Sequence, residues 1–230
     1  MHCAPELVLV GLRPTGQPFP YRVGDSFRVL VQPSQGGIVE LVLKGGPLRD
    51  TVVVFGAGPI GCIHVRIARG VHNAGKIVLV DVNAERLAMS ADAVHPDHLI
   101  DASTADVVEE MRKLTGGRGA DVVITATAAN ITQEQAIAMA ARNGRISFFG
   151  GLPKTNPTIT CDSNLVHYRQ LHIHGANGSA PSHNERALSY IASGLVPVKD
   201  LITVHLPLDR ALEAFDIVAK GQAIKVTVEP

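Results

Sequence analysis

The chain has 230 residues, 46% hydrophobic and 18% charged, with 21 Lys and Arg balanced by 21 Asp and Glu. This composition excludes a disordered chain, which needs low hydrophobicity and high net charge, and a neutral surface exerts no general pull on nucleic acid or an anionic membrane, so a small molecule is the expected partner. Three cysteines, Cys3, Cys62 and Cys161, are too few for a disulfide framework or a four-cysteine zinc site, and no uncharged apolar run reaches the roughly 20 residues of a membrane helix, so a reduced, cytoplasmic setting is expected.

The first fifty residues carry seven glycines and six prolines, with short strand signals at 27–31 and 37–43 and no helix of useful length. They read as a small, incomplete β-rich segment. From residue 51 the grammar changes. Apolar runs at 51–55, 76–81, 98–101, 121–125, 145–149 and 171–174 alternate with helical periods at 59–71, 84–93, 104–114, 132–142 and 182–193. A strand covered on one face alternates, so continuous runs such as Val52-Val53-Val54-Phe55 predict a parallel sheet with helices on both faces. Asn83, Ser103 and Ser182 are the expected N-caps, and Gly75, Gly116-Gly117, Gly144 and Gly194 the expected stops. The fold class is α/β, one doubly wound sheet of six strands and five connecting helices. A strand at 201–206, a helix at 208–220 and a strand at 223–228 close the chain.

Gly56-Ala57-Gly58-Pro59-Ile60-Gly61 follows the first strand and opens the first helix. Gly56 permits the tight turn, Gly58 a close approach to a pyrophosphate, and Gly61 close packing of helix on sheet. The helix N-terminus presents free N–H groups and partial positive charge to phosphate, and Pro59 has no N–H to leave unpaired. Asp81 lies twenty residues after Gly61, where a carboxylate meets the adenosine ribose; its charge favours NAD over NADP. Asn83 and Arg86 follow it, Arg86 flanking the adenine or solvated. Later strand ends add Ala126-Thr127, Gly150-Gly151-Leu152 and the turn containing Asn177-Gly178, where small residues let a nicotinamide ring lie on the backbone.

The segments 51–61, 114–123, 148–153 and 164–169 together resemble the zinc-dependent medium-chain alcohol dehydrogenase family, in its sorbitol and threonine dehydrogenase branch. The resemblance runs from residue 51 to the end. It implies a Rossmann domain at 51–200, NAD-linked oxidation of a secondary alcohol, and cofactor-binding roles for Gly56, Gly58, Gly61, Asp81 and Arg86. The turns at Gly150-Gly151-Leu152 and Asn177-Gly178 match the segments that hold nicotinamide.

Residues 1–50 depart from the family pattern. Members begin with a GroES-like catalytic domain whose Cys, Gly-His-Glu and further Glu bind catalytic zinc, and these motifs are not found in this sequence. The segments 22–29 and 37–42 resemble remnants of that domain, on which 201–230 is expected to pack. No alternative zinc set emerges: Cys62 and His64 are two apart on a helix, and His172 and His174 share a strand face more suited to packing. Catalytic residues are therefore unassigned. Three readings follow: an NAD-binding relative with alcohol oxidation lost or reduced; a metal-free NAD-dependent dehydrogenase or reductase using Tyr168, His167 or Thr127 as proton donor; and a non-catalytic NAD-binding module. Apolar surface at 201–230 and the edge of the sixth strand predict a homo-oligomer.

Overall fold

The structure is a computed structural model and describes residues 50–230; the strand signals at 27–31 and 37–43, and the contact expected between 201–230 and the N-terminal segment, lie outside the described residues. The elements are β1 (Thr51–Phe55), α1 (Pro59–Gly70), β2 (Lys76–Asp81), α2 (Ala84–Val94), β3 (His98–Asp101), α3 (Val107–Leu114), β4 (Ala120–Thr125), α4 (Asn130–Met139), β5 (Ala140–Phe148), α5 (Ser163–Arg169), β6 (His172–Gly175), α6 (Pro181–Ala192), β7 (Ile202–Pro207), α7 (Ala211–Ala219) and β8 (Lys225–Glu229).

Six strands form one sheet in the order β3-β2-β1-β4-β5-β6, every pair parallel. This is the doubly wound Rossmann arrangement, with the order reversing between β1 and β4. The apolar runs are explained by two-sided burial. Val52, Val54, Ile77, Leu79, Val122 and Ile124 meet Val65 and Ala68 of α1 and Leu87 of α2. Their sequence neighbours Val53, Phe55, Val78, Val80 and Val123 meet Val107 and Met111 of α3 and Ala136 and Ile137 of α4. Each fully buried aliphatic side chain contributes about 1.5–3 kcal/mol, so alternate residues stabilise opposite layers.

Several boundaries differ from the sequence reading, each for a local reason. Ser103 does not cap the third helix. Its N–H and hydroxyl both donate to Asp101 Oδ1, and the helix starts after Asp106, whose Oδ1 accepts from Val108 and Glu109 N–H. Ser182 gives way to Ala180 because Pro181 occupies the first helical turn. The fourth helix stops at Met139 rather than near Gly144, since the chain passes directly into β5. There Ala140 pairs with Ala120 but Arg145 with Val122, so residues 141–144 bulge opposite the single residue Asp121. Helix α5 is an element the sequence periodicity does not predict; Asp162 caps it by accepting from Asn164 N–H.

The C-terminal residues form the expected strand, helix and strand, with β7 and β8 paired parallel in a separate two-stranded sheet. Leu201 and Ile224 join the core on the α1 side. The buried Arg66 of α1 holds the approach to β7: it donates to Asp200 through both terminal nitrogens and to the carbonyls of Ala93 and Pro197. Among the described residues no helix is long and apolar enough to cross a membrane.

Candidate cofactor site

The carboxyl edge of the sheet is built by glycines of two kinds. Gly56, at φ 97°, is the tight turn; a Cβ there would lie 2.8 Å from both Ala126 O and Thr127 Cγ2. A Cβ on Gly61 would lie 1.7 Å from Gly56 O, and one on Gly150 2.1 Å from Thr127 O. These three glycines are demanded by neighbouring backbone. Gly58 and Gly151 have no neighbour within 4 Å of a Cβ position, so room for a ligand lies over them. The turns after β1, β4 and β5 therefore touch in sequence, with Ala126-Thr127 between Gly56 and Gly150.

Helix α1 opens toward this edge without competition. Gly58 is its N-cap and contributes no capping side chain, Pro59 fills the first turn, and no acidic residue lies in that turn. The unpaired N–H groups of a helix start attract an anion. Ile60 beside them is 48% exposed, an apolar side chain left to solvent at the mouth.

Ala57 is fixed from both sides. Its N–H donates to Asp81 Oδ2 at 2.7 Å, and its carbonyl accepts from Ser90 Oγ at 2.6 Å. Asp81 is buried at the end of β2. Its Oδ1 accepts from Asn83 N–H at 2.8 Å and Arg86 Nη2 at 2.7 Å, and its Oδ2 also accepts from Arg86 Nε at 3.2 Å. Four donors fill the four acceptor positions of a carboxylate. Arg86 thus closes on Asp81 instead of standing in solvent, and the positions open to ribose hydroxyls are those Arg86 occupies. Asn83 caps α2, its Oδ1 accepting from Arg86 N–H at 2.9 Å.

Sequence reasoning missed four residues here. Ser90 and Gln133 are distant in sequence from the groups they hold: Gln133 Nε2 donates to Gly150 O at 3.2 Å. Val82, directly after Asp81, is 67% exposed, an apolar floor beside the acid. A Cβ on Gly221 would lie 3.1 Å from Asn83 Nδ2, so the C-terminal segment borders the same corner. A valine directly after the strand-ending Asp81 was the available signal; the other three carried none.

The remaining predicted positions separate. Leu152 is half-buried and Asn177 exposed, while Gly178, at φ 70°, has open space around it. Thr127 is at the edge, its Oγ1 2.8 Å from Thr132 Oγ1. His167 and Tyr168 are not. They occupy the last turn of α5, whose Arg169 donates to the Ala138 and Ala140 carbonyls where α4 passes into β5, which is the opposite edge of the sheet. His64 is buried edge-on against Phe149, ring centroids 4.5 Å apart, and neither ring nitrogen has a partner among the described residues; burial pushes its pKa down to about 4. His172 and His174 stack at 6.5 Å on one strand face, and burial, followed by the charge on His172 and Arg145, lowers the pKa of His174. Among the described residues no three His, Cys, Asp or Glu converge on a metal.

The chain is similar to L-threonine 3-dehydrogenase of Bacillus velezensis, 32% identical over 87% of this chain and 57% of that protein. It is similar to sorbitol dehydrogenase of Ovis aries, 30% identical over 92% of this chain and 60% of that protein. It therefore spans less than two thirds of these relatives. A Sinorhizobium meliloti 1021 protein solved bound to NADP superposes with a TM-score of 0.72 at 25% identity, covering 84% of this chain and 56% of that one. The family model described as zinc-binding dehydrogenase matches residues 59–193. That span begins at the proline opening α1 and takes in Asp81, Thr127 and Gly150, and the chain belongs to this zinc-binding dehydrogenase family.

Proposed function

We propose that the chain binds NAD along the carboxyl edge of its sheet, with the pyrophosphate at the start of α1, the adenosine ribose at Asp81 and the nicotinamide over Gly150-Gly151-Leu152 and Asn177-Gly178. One observation carries this reading: Gly58 borders open space while Ala57 is locked between Asp81 and Ser90, so the backbone is held in place for a phosphate before one arrives. Gly56, Pro59, Ile60, Gly61, Asn83, Arg86, Ala126 and Thr127 complete the contact surface. Asp81 favours NAD because a 2′-phosphate would stand against its buried charge.

Bound NAD would supply the hydride acceptor for oxidation of a secondary alcohol. The chain's own contribution to that chemistry is binding and orientation, and alcohol oxidation is lost or reduced because the zinc-ligand motifs of the family are not found in this sequence. A second reading rests on Thr127, the only one of the three proton-donor candidates at this edge, and makes the chain a metal-free dehydrogenase. Calorimetry with NAD and NADP, together with a zinc assay and polyol or threonine turnover, tests both. Saturable NAD binding with NADP weaker supports the first reading; zinc-independent turnover lost in Thr127→Val replaces it with the second. Absence of dinucleotide binding overturns both.

Self-association belongs to the same proposal. Leu208, Leu212, Phe215 and Val218 are 58% to 83% exposed along α7 and its preceding turn, an apolar stripe that needs cover. Sedimentation velocity at micromolar concentration is expected to show a dimer or larger species, and a monodisperse monomer contradicts it.

A further inference from the structure

A cleft of about 200 Å3 opens at the amino edge of β4 and β5, at the opposite ends of the strands that carry Ala126 and Gly150. Six-residue strands span about 20 Å, so the cleft is remote from the cofactor turns. Four arginines line it, Arg112, Arg118, Arg142 and Arg169, with the backbone of Gly117 and Gly119 and the last turn of α4; no carboxylate is among the described lining residues.

The four guanidiniums are unequally committed. Arg118 is neutralised by a two-pronged pair with Asp121. Among the described residues Arg112 pairs only with Glu109, at 3.6 Å and half-exposed. Arg169 gives one nitrogen to the carbonyls of Ala138 and Ala140, leaving its other N–H groups unbonded among the described residues. Arg142, lifted out of the ladder by the bulge at 141–144, makes no hydrogen bond or ion pair with any described residue.

The bland explanation is that these cations answer the negative carbonyl ends of α3 and α4. That need is already met. Lys76 Nζ donates to Leu114 O at the end of α3, and Arg169 covers the end of α4. Arg142 and most of Arg112 and Arg169 remain as surplus positive charge around a small concavity. Guanidinium forks match a phosphate in geometry and charge. The volume corresponds to about six or seven waters at roughly 30 Å3 each, below the roughly 300–1,000 Å3 of pockets that bury larger ligands. Its size suits a phosphate group or a small phosphate monoester better than a second dinucleotide.

We propose that this cleft is a phosphate-binding site, separate from the dinucleotide site, for inorganic phosphate or a small phosphate monoester. The test titrates the full chain with inorganic phosphate and with glycerol phosphate at fixed ionic strength, by calorimetry. Saturable binding is expected, weakened about tenfold or more by R142Q and less by R112Q, as expected when a charge-assisted partner is removed. Arg142 is exposed and makes no bond to a described residue, so R142Q is expected to leave the thermal midpoint in phosphate-free buffer unchanged. A monoester that binds tighter than inorganic phosphate, or the reverse, identifies the source while upholding the site. No saturable binding to the parent chain overturns the proposal. So does binding that survives R142Q unchanged, because that phosphate sits at the start of α1 instead.

Discussion

Arg66 and Asp200 face each other across 134 residues of chain, joined by two hydrogen bonds of 2.8 and 2.5 Å. Arg66 is 8% exposed and Asp200 57%. The half-exposed carboxylate discounts the ion pair itself, but removing it leaves a buried cation with only carbonyl partners. Asp200→Ala is expected to lower stability by about 1–2 kcal/mol in urea denaturation. In an Arg66→Met background the same change should cost much less, because the stranded charge is gone. Equal losses in both backgrounds would show that the pair is idle.

His64 sets a pH dependence. Its folded pKa is about 4 against an ordinary 6.5, so the unfolded chain holds the extra proton between those values. Stability therefore falls as pH drops from about 6.5 to 4, by up to about 3 kcal/mol. His64→Leu should flatten that portion of the stability profile without altering the neutral plateau by as much. Parallel profiles for parent and variant would assign the acid sensitivity to other groups.

The two kinds of glycine should separate in mutagenesis. Gly61→Ala places a methyl 1.7 Å from backbone oxygen, and a loss of about 3 kcal/mol is expected from overpacking. Gly151→Ala meets no atom within 4 Å and should leave unfolding unchanged, yet weaken NAD about tenfold, or 1.4 kcal/mol. Unaltered NAD affinity in Gly151→Ala would remove that turn from the cofactor surface.

Arg86 is expected to compete with the ribose for Asp81. Arg86→Ala should bind NAD at least as tightly as the parent while NADP weakens, and Asp81→Asn should narrow the preference about tenfold, as the 2′-phosphate no longer meets a charge. Fluorescence titration with both dinucleotides reads these shifts. If Arg86→Ala weakens NAD and NADP alike, Arg86 is a contact for the shared part of the ligand.

The sheet was legible because burial on both faces leaves unbroken apolar runs, and Gly56 to Gly61 because a tight turn, a phosphate approach and a close helix each require glycine at a fixed spacing. What stayed hidden depends on contacts made at long range or by a single local competitor. Asp101 draws Ser103 away from its helix, and nothing near Ser103 announces this. Helix α5 is only seven residues long and buries none of them fully, so it leaves no periodic signature. Ser90 and Gln133 support the site through hydrogen bonds spanning 33 and 17 residues, and both read locally as ordinary helix surface. The bulge at 141–144 is invisible in composition, and with it the convergence of Arg142 on the other arginines.

The contact of Gly56 with Ala126 and Thr127, and of Thr127 with Gly150, makes three surface turns behave as an extension of the sheet. Ala126 N–H donates to Phe55 O at 2.9 Å and Gly150 N–H to Thr125 O at 2.7 Å, so each turn begins as one more rung of a ladder. The conformational entropy of these turns is lost when the core forms, and a ligand arriving there meets walls that have no freedom left to surrender. Amide exchange at Ala126 and Gly150 in the cofactor-free chain should accordingly be as slow as within β4, and cofactor association should proceed without a closing step.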